Sequence, residues 1–353
     1  MASNFWLGSA ADGIAKGLRQ LGWDICYVEM AHHFLHSRLL SLRLLSRGLR
    51  RWSIASYNQA VLEAVENLRP RAFLTVKGSY LTTRTLAEIR RRGITTLLYY
   101  TDFHFDHVDV SRDTFAHYDH VFTNNSLVIP SLEEQLGASR VSLLYFGYSA
   151  HVHYPRLARV AETDYLADCG YVGNCTPYKA RWLEAIARKL PEVRLTIIGN
   201  GWSQAAKGTA LQPSVAGFQL VGDCYSRFLQ QARINLAFHM GPAGKHGWED
   251  RISMRTFEIP ACKGFMLHID NDEIRRLFEP GKEVDVFTTA DELCDKIRHY
   301  LPRPAERGEM IERAYRRCVP AYSYDVRAQA IARAIECGSP PAPGQADPLA
   351  AGV

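Results

Sequence analysis

The chain reads as an α/β protein made of two doubly wound, Rossmann-like halves, each a parallel sheet covered by helices. Short apolar runs rich in β-branched and aromatic residues alternate with helical patterns along almost all of its 353 residues, as expected of strands joined by helical crossovers. The length suits roughly two domains of about 150 residues, and with 47% apolar residues both halves can bury a core. The series of strands and helices restarts beyond Tyr154 and Pro155. These observations divide the chain into a first half at 1–155, a second at 156–320, a final helix in 321–338 that packs back toward the first half, and a tail at 339–353. The tail, SPPAPGQADPLAAGV, has no core-forming residues and is expected to be disordered.

In order, the first half offers strands at 24–30, 72–77, 95–101, 120–123 and 141–145, separated by helices at 11–21, 53–67, 83–92 and 130–136. The second half repeats the scheme with strands at 168–172, 194–198, 218–221, 234–238, 265–269 and 284–287. Its helices fall at 178–189, 225–232, 252–262, 290–300 and 305–317, and a last helical pattern at 324–335 follows Pro320. The beginning departs from the scheme, because only residues 5–7 precede Gly8 as candidates for a first strand. That strand is expected to be very short or missing; either the sheet begins at 24–30 or the start codon was assigned too far downstream. A ligand is expected in a cleft at the carboxyl ends of the strands, where open parallel sheets place their sites.

The net charge of +5, drawn partly from an arginine-rich first third, fits an anionic ligand such as a nucleoside diphosphate. It is too weak to argue for nucleic acid. The eight cysteines lie far apart without a CxxC pair, so they read as reduced thiols, with no disulfide framework and no zinc site implied. No apolar run is long enough to cross a bilayer and no secretory signal opens the chain, which makes a cytoplasmic location the expectation. The stretch at 37–52, SRLLSLRLLSRGLRRW, mixes leucines with arginines. Such a helix can lie peripherally on anionic lipid or simply pack by its leucines with the arginines in water.

The most informative stretch is 249–267, EDRISMRTFEIPACKGFML, in which Asp250 and Glu258 precede a buried strand. A carboxylate fixed on a helix can accept hydrogen bonds from both adjacent hydroxyls of a ribose. Glu258, flanked by Phe257, Ile259 and Ala261, is the candidate for that contact. The plainer alternative is an ion pair with Arg255 one turn earlier.

With these residues in view the chain resembles the CgeB-like, spore-maturation glycosyltransferases, within the GT-B fold group. The resemblance covers nearly the whole chain and is most specific in RTFEIPACKGFML and LFEPGKEVDVF, with weaker echoes in GYVGN, LTIIGNGW, DHVFTNNS and LLYFGYSAHVHYP. It implies two Rossmann-like domains facing a cleft, a nucleoside-diphosphate-sugar donor as substrate, hexosyl transfer to an unidentified acceptor, and neither a catalytic metal nor another cofactor. The family pattern usually has glycine where Lys263 stands; that side chain either crowds the turn or adds a phosphate contact.

Departure of a sugar leaves charge on the diphosphate, which cations or backbone amides must meet when no metal does. Lys179 and Arg181, in the helix after Gly173 and Asn174 of GYVGN, hold the diphosphate in related enzymes; a solvated helix face is the other reading. The glycine-rich loop GPAGKHGWED, with Gly244 and His246, and the helix bearing Arg255 offer further donors. Asp250 precedes Glu258 at a spacing resembling the E-x7-E of retaining GT-B enzymes, where the first acid binds the transferred sugar; helix N-capping is its alternative. Base recognition is expected near Gly222 to Tyr225, with Tyr225 either stacked on the nucleobase or merely a surface tyrosine. On the acceptor side, YYTDFHFDHVD gathers Asp102, His104, Asp106 and His107 at a strand end, with Asp102 the first candidate to orient or deprotonate a hydroxyl and His104 the second. Divalent-metal binding there is a minor alternative, and Lys77 and Gly78 line the same pocket or form a plain turn. A nucleotide-sugar epimerase or a non-catalytic binding protein of the same fold would share the donor site.

Overall fold

The computed structural model describes residues 1–34 and 43–337. The tail at 339–353 and the first part of the arginine-rich stretch at 37–52 lie outside the described residues. The chain divides into two compact units, one of 1–145 with 244–248 and the residues from Arg327 onward, the other of 146–243 and 249–326.

The first unit is built on β1 (Ala2–Ser3), β2 (Val28–Glu29), β3 (Ala72–Val76), β4 (Thr95–Tyr100), β5 (His120–Thr123) and β6 (Val141–Leu143), with α1 (Ala10–Gln20), α2 (Arg43–Leu68), α3 (Thr83–Arg91) and α4 (Ile129–Leu136). Every pairing is parallel and the order is β2-β1-β3-β4-β5-β6. The first strand is therefore present, two residues long, and the sheet does not begin at 24–30, of which only Val28–Glu29 pairs. Ser9 caps α1 by accepting the Asp12 amide and Thr82 caps α3 by accepting that of Thr85. Leu97, Leu98, Tyr99 and Tyr100 are fully buried, as expected for a strand covered on both faces. Residues 43–52 begin the long helix α2; Trp52 is 60% exposed and Arg50 donates to the Val108 carbonyl at 3.1 Å.

The second unit holds β7 (Ala167–Val172), β8 (Leu195–Ile198), β9 (Val215–Gly217), β10 (Ala232–Ala237), β11 (Met266–Ile269) and β12 (Asp285–Phe287) in the order β12-β11-β10-β7-β8-β9, again all parallel. Its helices are α5 (Pro177–Lys189), α6 (Trp202–Ala205), α7 (Gly222–Gln231), α8 (Arg255–Ala261), α9 (Asp272–Leu277), α10 (Ala290–Tyr300) and α11 (Pro304–Cys318). The final helix α12 (Tyr324–Cys337) starts here, and from Arg327 on it belongs to the first unit. The order reverses between β7 and β10, and in such sheets the crevice outside the carboxyl ends of the two central strands receives the ligand.

Three expectations are corrected. Residues 146–155 belong to the second unit: the Gly147 backbone lies so close to Tyr322 that a Cβ would stand 2.7 Å from its carbonyl, and Ser226 donates to the Val152 carbonyl at 2.7 Å. Residues 218–221 form no strand; pairing ends at Gly217 and Phe218 is 70% exposed. Helix α8 starts at Arg255 with Met254 as its N-cap, so Asp250 neither lies in the helix nor caps it.

Candidate functional site

Glu258 lies in α8 and is 4% exposed. Tyr225, one turn into α7, donates its hydroxyl to Glu258 Oε2 at 2.7 Å. Burial first, and then the carboxylate itself, raise the Tyr225 pKa well above the usual phenol range, so this donor keeps its proton. His153 stands on the other side, with Nε2 3.6 Å from Glu258 Oε1. Its Nδ1 accepts the Ser149 amide at 3.1 Å, which leaves the imidazole proton on Nε2, facing the acid. Burial lowers the His153 pKa, so the ring is neutral. Tyr225 thus fixes Oε2 of the carboxylate, while His153 faces Oε1 from beyond hydrogen-bond reach, and acceptor capacity remains for a ligand. Arg255 directs its guanidinium to the carbonyls of Val172 and Phe238, at 3.3 and 2.9 Å, rather than to Glu258. Tyr225 is buried against the acid, so it is neither a surface residue nor a stacking platform.

The crevice between β7 and β10 is lined with nitrogen donors, of which Arg255 and Lys179 are the cationic ones. Thr176 caps α5 and Pro177 opens it, and Lys179 sits in its first turn, 2% exposed. Lys179 Nζ reaches the Asn174 carbonyl and Met240 Sδ, both at 3.2 Å, and forms no ion pair among the described residues. Burial, then Arg255, push its pKa down from 10.5 to about 7, with Asp250 opposing. His239, directly beyond β10, is 3% exposed and stacks on Tyr178 with 5.6 Å between ring centroids. Its Nδ1 has no hydrogen-bond partner, and burial, His268, Lys179, Arg251 and Arg255 together push its pKa to about 3. Behind this group His268 is held neutral: Nδ1 donates to the Ile269 carbonyl at 2.6 Å, Nε2 pairs with the Thr256 hydroxyl at 3.0 Å, and burial lowers its pKa to about 4.

Glycines bring the backbone up to these side chains. A Cβ on Gly173 would stand 2.7 Å from Arg255 Nη1, and one on Gly199 would stand 2.0 Å from the Gly173 carbonyl oxygen. The same carbonyl accepts the Trp202 indole N–H at 2.7 Å. Gly222, at φ 58°, opens α7 in a conformation that favours glycine.

In the first unit a second cluster follows β3 and β4. Lys77 and Tyr80 adopt positive φ, 68° and 60°, on either side of Gly78 and Ser79, the kind of local strain kept where geometry matters. Lys77 Nζ lies 3.2 Å from both Asp102 Oδ2 and Asp109 Oδ2. Burial works against its charge, but the two acids outweigh that effect and raise its pKa above 10.5. Ser79 also donates to Asp109, at 2.7 Å. His107 Nε2 is 3.4 Å from Asp102 Oδ2, and the His107 and His104 rings stack 4.0 Å apart. Burial lowers the His107 pKa, with Asp102 opposing and His104 and Lys77 reinforcing. Gly244 approaches so closely that a Cβ would stand 2.7 Å from His104 Cβ, and the Lys245 amide donates to Asp106 at 2.7 Å.

Residues 178–333 match the model of the glycosyl transferase-like family. No curated protein matches the chain. Among solved structures, S. aureus TarM, a variant bound to fondaparinux, α-GlcNAc-glycerol and UDP, is similar at 10% identity over 76% of this chain and 57% of that one, with TM-score 0.54. Anabaena HepE in complex with UDP matches at 13% identity over 81% of this chain and 82% of that one, TM-score 0.56. A Listeria monocytogenes protein described as a putative UDP-N-acetylglucosamine 2-epimerase matches at 10% identity over 96% and 95%, TM-score 0.56. The fold is GT-B. The chain thus spans little more than half the length of TarM, at 57%.

Of the residues singled out from sequence, Glu258, Tyr225, Lys179, Arg255, Gly173 and Asn174 come together in the second unit, and Asp250 acts electrostatically on Lys179 and Arg255. Arg181 is exposed; two positions from Lys179, it faces another side of α5. Gly244 and His246 belong to the first unit, where Gly244 abuts His104 and His246 is stacked on Trp248 at 4.5 Å. Lys263, at φ 56°, pairs with Glu312 at 2.6 Å. Sequence reasoning missed His239 and His153. The position of His239, just beyond a central strand, was the one available signal. Among the described residues no group of three His, Cys, Asp or Glu is arranged to hold a metal ion, and no helix is long and apolar enough to cross a membrane.

Proposed function

We propose that the protein is a GT-B glycosyltransferase whose second unit holds a nucleoside-diphosphate sugar, in the manner of the CgeB-like enzymes. The observation that carries this reading is the group Lys179, Arg255 and His239 at the strand-order reversal, a buried set of cationic and donor groups with no acid paired to the lysine. A diphosphate supplies the missing countercharge. Glu258, fixed by Tyr225 with the neutral His153 ring alongside, takes the two ribose hydroxyls. As the bond to the sugar breaks, Lys179 and Arg255 stabilise the charge that grows on the diphosphate, without need of a metal. Asp250 contacts the transferred hexose, and its spacing to Glu258 supports retention of configuration, which the anomeric proton of the product reports by NMR. The UDP in TarM and HepE makes UDP the first nucleotide to test.

The test is a thermal-shift screen over UDP, GDP, TDP and ADP, because a ligand bound only to the native state raises its melting point. One diphosphate is expected to shift the wild type and to lose about tenfold or more in affinity with Glu258→Gln, the value of a hydrogen bond to a charged group at about 1.5–3 kcal/mol. No shift with any of the four sinks the proposal. The epimerase fold-mate gives a second reading, and conversion of a nucleotide sugar by the protein alone, without acceptor, would favour it.

A further inference from the structure

We infer that Met240 is a site of reversible oxidation by peroxide, and that its sulfoxide turns off diphosphate binding by engaging Lys179. The effect on binding rests on the proposed donor site, and every residue involved belongs to the second unit.

A thioether is a weak hydrogen-bond acceptor, yet Lys179 directs a donor at one. Its Nζ lies 3.2 Å from Met240 Sδ and 3.2 Å from the Asn174 carbonyl. The lysine is 2% exposed, whereas Met240 is 41% exposed. Met240 also stands apart from the other five methionines: Met266 and Met310 are buried, and Met1, Met30 and Met254 are half-buried. Oxidation of sulfur follows access to solvent, so Met240 is the first methionine a peroxide meets. The thioether therefore links a solvent-reachable side chain to a buried cation.

The backbone keeps the two together. His239 stacks on the Tyr178 ring, and Gly241, at φ 81°, lies so close to the same ring that a Cβ would stand 2.5 Å from its Cγ. Both neighbours of Met240 are thus anchored on Tyr178, the residue that precedes Lys179 in the first turn of α5.

In the oxidation step an S–O bond forms on Sδ as the O–O bond of hydrogen peroxide breaks. Sulfur gives up two electrons, and the peroxide is reduced to water. The sulfoxide is polar, where the thioether was apolar and polarisable. Its oxygen is a much stronger acceptor and carries partial negative charge within reach of Nζ. It satisfies the ammonium from within the protein and opposes the approach of a phosphate. A sulfoxide reductase reverses the change with two thiols, which become a disulfide as the oxygen leaves as water.

Three measurements on the full chain test this. Under limiting hydrogen peroxide, peptide mass spectrometry should find one oxygen added to Met240 before any reaches Met266 or Met310; equal rates at the three overturn the inference. Carbon-13 NMR of the lysine side chains should show Lys179 titrating at about 7 in the untreated chain, where burial and Arg255 oppose its charge and Asp250 and Cys175 favour it. After oxidation it should titrate at clearly higher pH, because a hydrogen bond to the charged form favours that form. An unmoved titration overturns the inference whatever the donor. In the third, peroxide followed by dithiothreitol, which returns oxidised thiols such as those of Cys26 and Cys224, should weaken UDP binding by about tenfold, the size of one hydrogen bond to a charged group. Methionine sulfoxide reductases should restore it. Met240→Leu should bind UDP before treatment and keep its affinity afterwards; an equal loss in that variant places the damage elsewhere and refutes the assignment. Absence of a UDP shift in the untreated wild type would instead count against the donor site, and the Lys179 titration would then decide for or against Met240.

Discussion

Lys77 and Lys179 each stand just beyond the carboxyl end of a parallel strand, the first between two carboxylates, the second among Arg255, His239 and a thioether. Their pKa values accordingly move in opposite directions, up for Lys77 and down to about 7 for Lys179. A lysine satisfied by its own protein contributes to stability and orients its partners. A buried lysine left without a counter-ion weakens the empty fold and gains on binding an anion. The same residue type is thus paired with acids in one unit and, under the proposed function, left for a ligand in the other.

Replacing both lysines would break this contrast if it is false. Lys179→Met should abolish the thermal shift with nucleotide, weakening binding by about a hundredfold or more, at about 1.4 kcal/mol per tenfold. It should also raise the melting point of the ligand-free protein, because burying an ammonium costs on the order of a few kcal/mol. Lys77→Met should do the reverse, lowering the melting point by an amount worth about 1–2 kcal/mol, a modest figure because solvent reaches this pair, while sparing nucleotide affinity. A loss of stability in Lys179→Met would mean that the second cluster is structural.

Proton linkage sharpens the same point. The folded pKa of Lys179, about 7, is below its unfolded value of 10.5, so the unfolded chain binds more protons between those limits and stability from this residue rises with pH across that window. Lys179→Met should remove that slope. Nucleotide affinity should move the other way, falling by up to about tenfold per pH unit above pH 7 as the apo lysine loses its charge. The raised pKa of Lys77 instead leaves its contribution intact below 10.5, to be lost only as pH rises through the folded value.

Smaller effects bound the site. Gly173→Ala should displace Arg255, whose Nη1 would lie 2.7 Å from the new methyl, and weaken nucleotide binding by about threefold to tenfold, less than 1.4 kcal/mol. Arg181→Ala, on the exposed side of α5, should change stability by no more than about 0.5 kcal/mol and leave titrations with nucleotide unaltered. A large effect there would move the diphosphate away from Lys179.

Much of the fold was legible because a parallel strand covered on both faces carries a short run of apolar and β-branched residues, as TTLLYY does at 95–100, and as 232–237 does with Arg233 and Asn235 as its interruptions. The two-residue strand Ala2–Ser3 carries no such run; it is defined by its neighbours, Val28 and Thr75. Phe218 to Val221 misled for the opposite reason, an apolar run that the sheet does not use. In the site, Glu258 and Lys179 were visible through their motif. The role of Tyr225 was not, since a hydroxyl donated to an acid 33 positions away has no local signature. The same holds for Gly244 and His246, which follow a second-unit strand in the chain yet pack with the first unit. The gathering of Asp102, His104, Asp106 and His107 was visible in the sequence, but which imidazole stands beside Asp102 was not.

Trp202 is fully buried, and its indole N–H is held by the carbonyl of Gly173, the residue whose Cα abuts Arg255. Any shift of that glycine as a nucleotide arrives changes the polarity around the indole. The chain therefore carries its own fluorophore beside the proposed donor site, and quenching or a change in emission colour on titration, absent in Trp202→Phe, would report occupancy without a label.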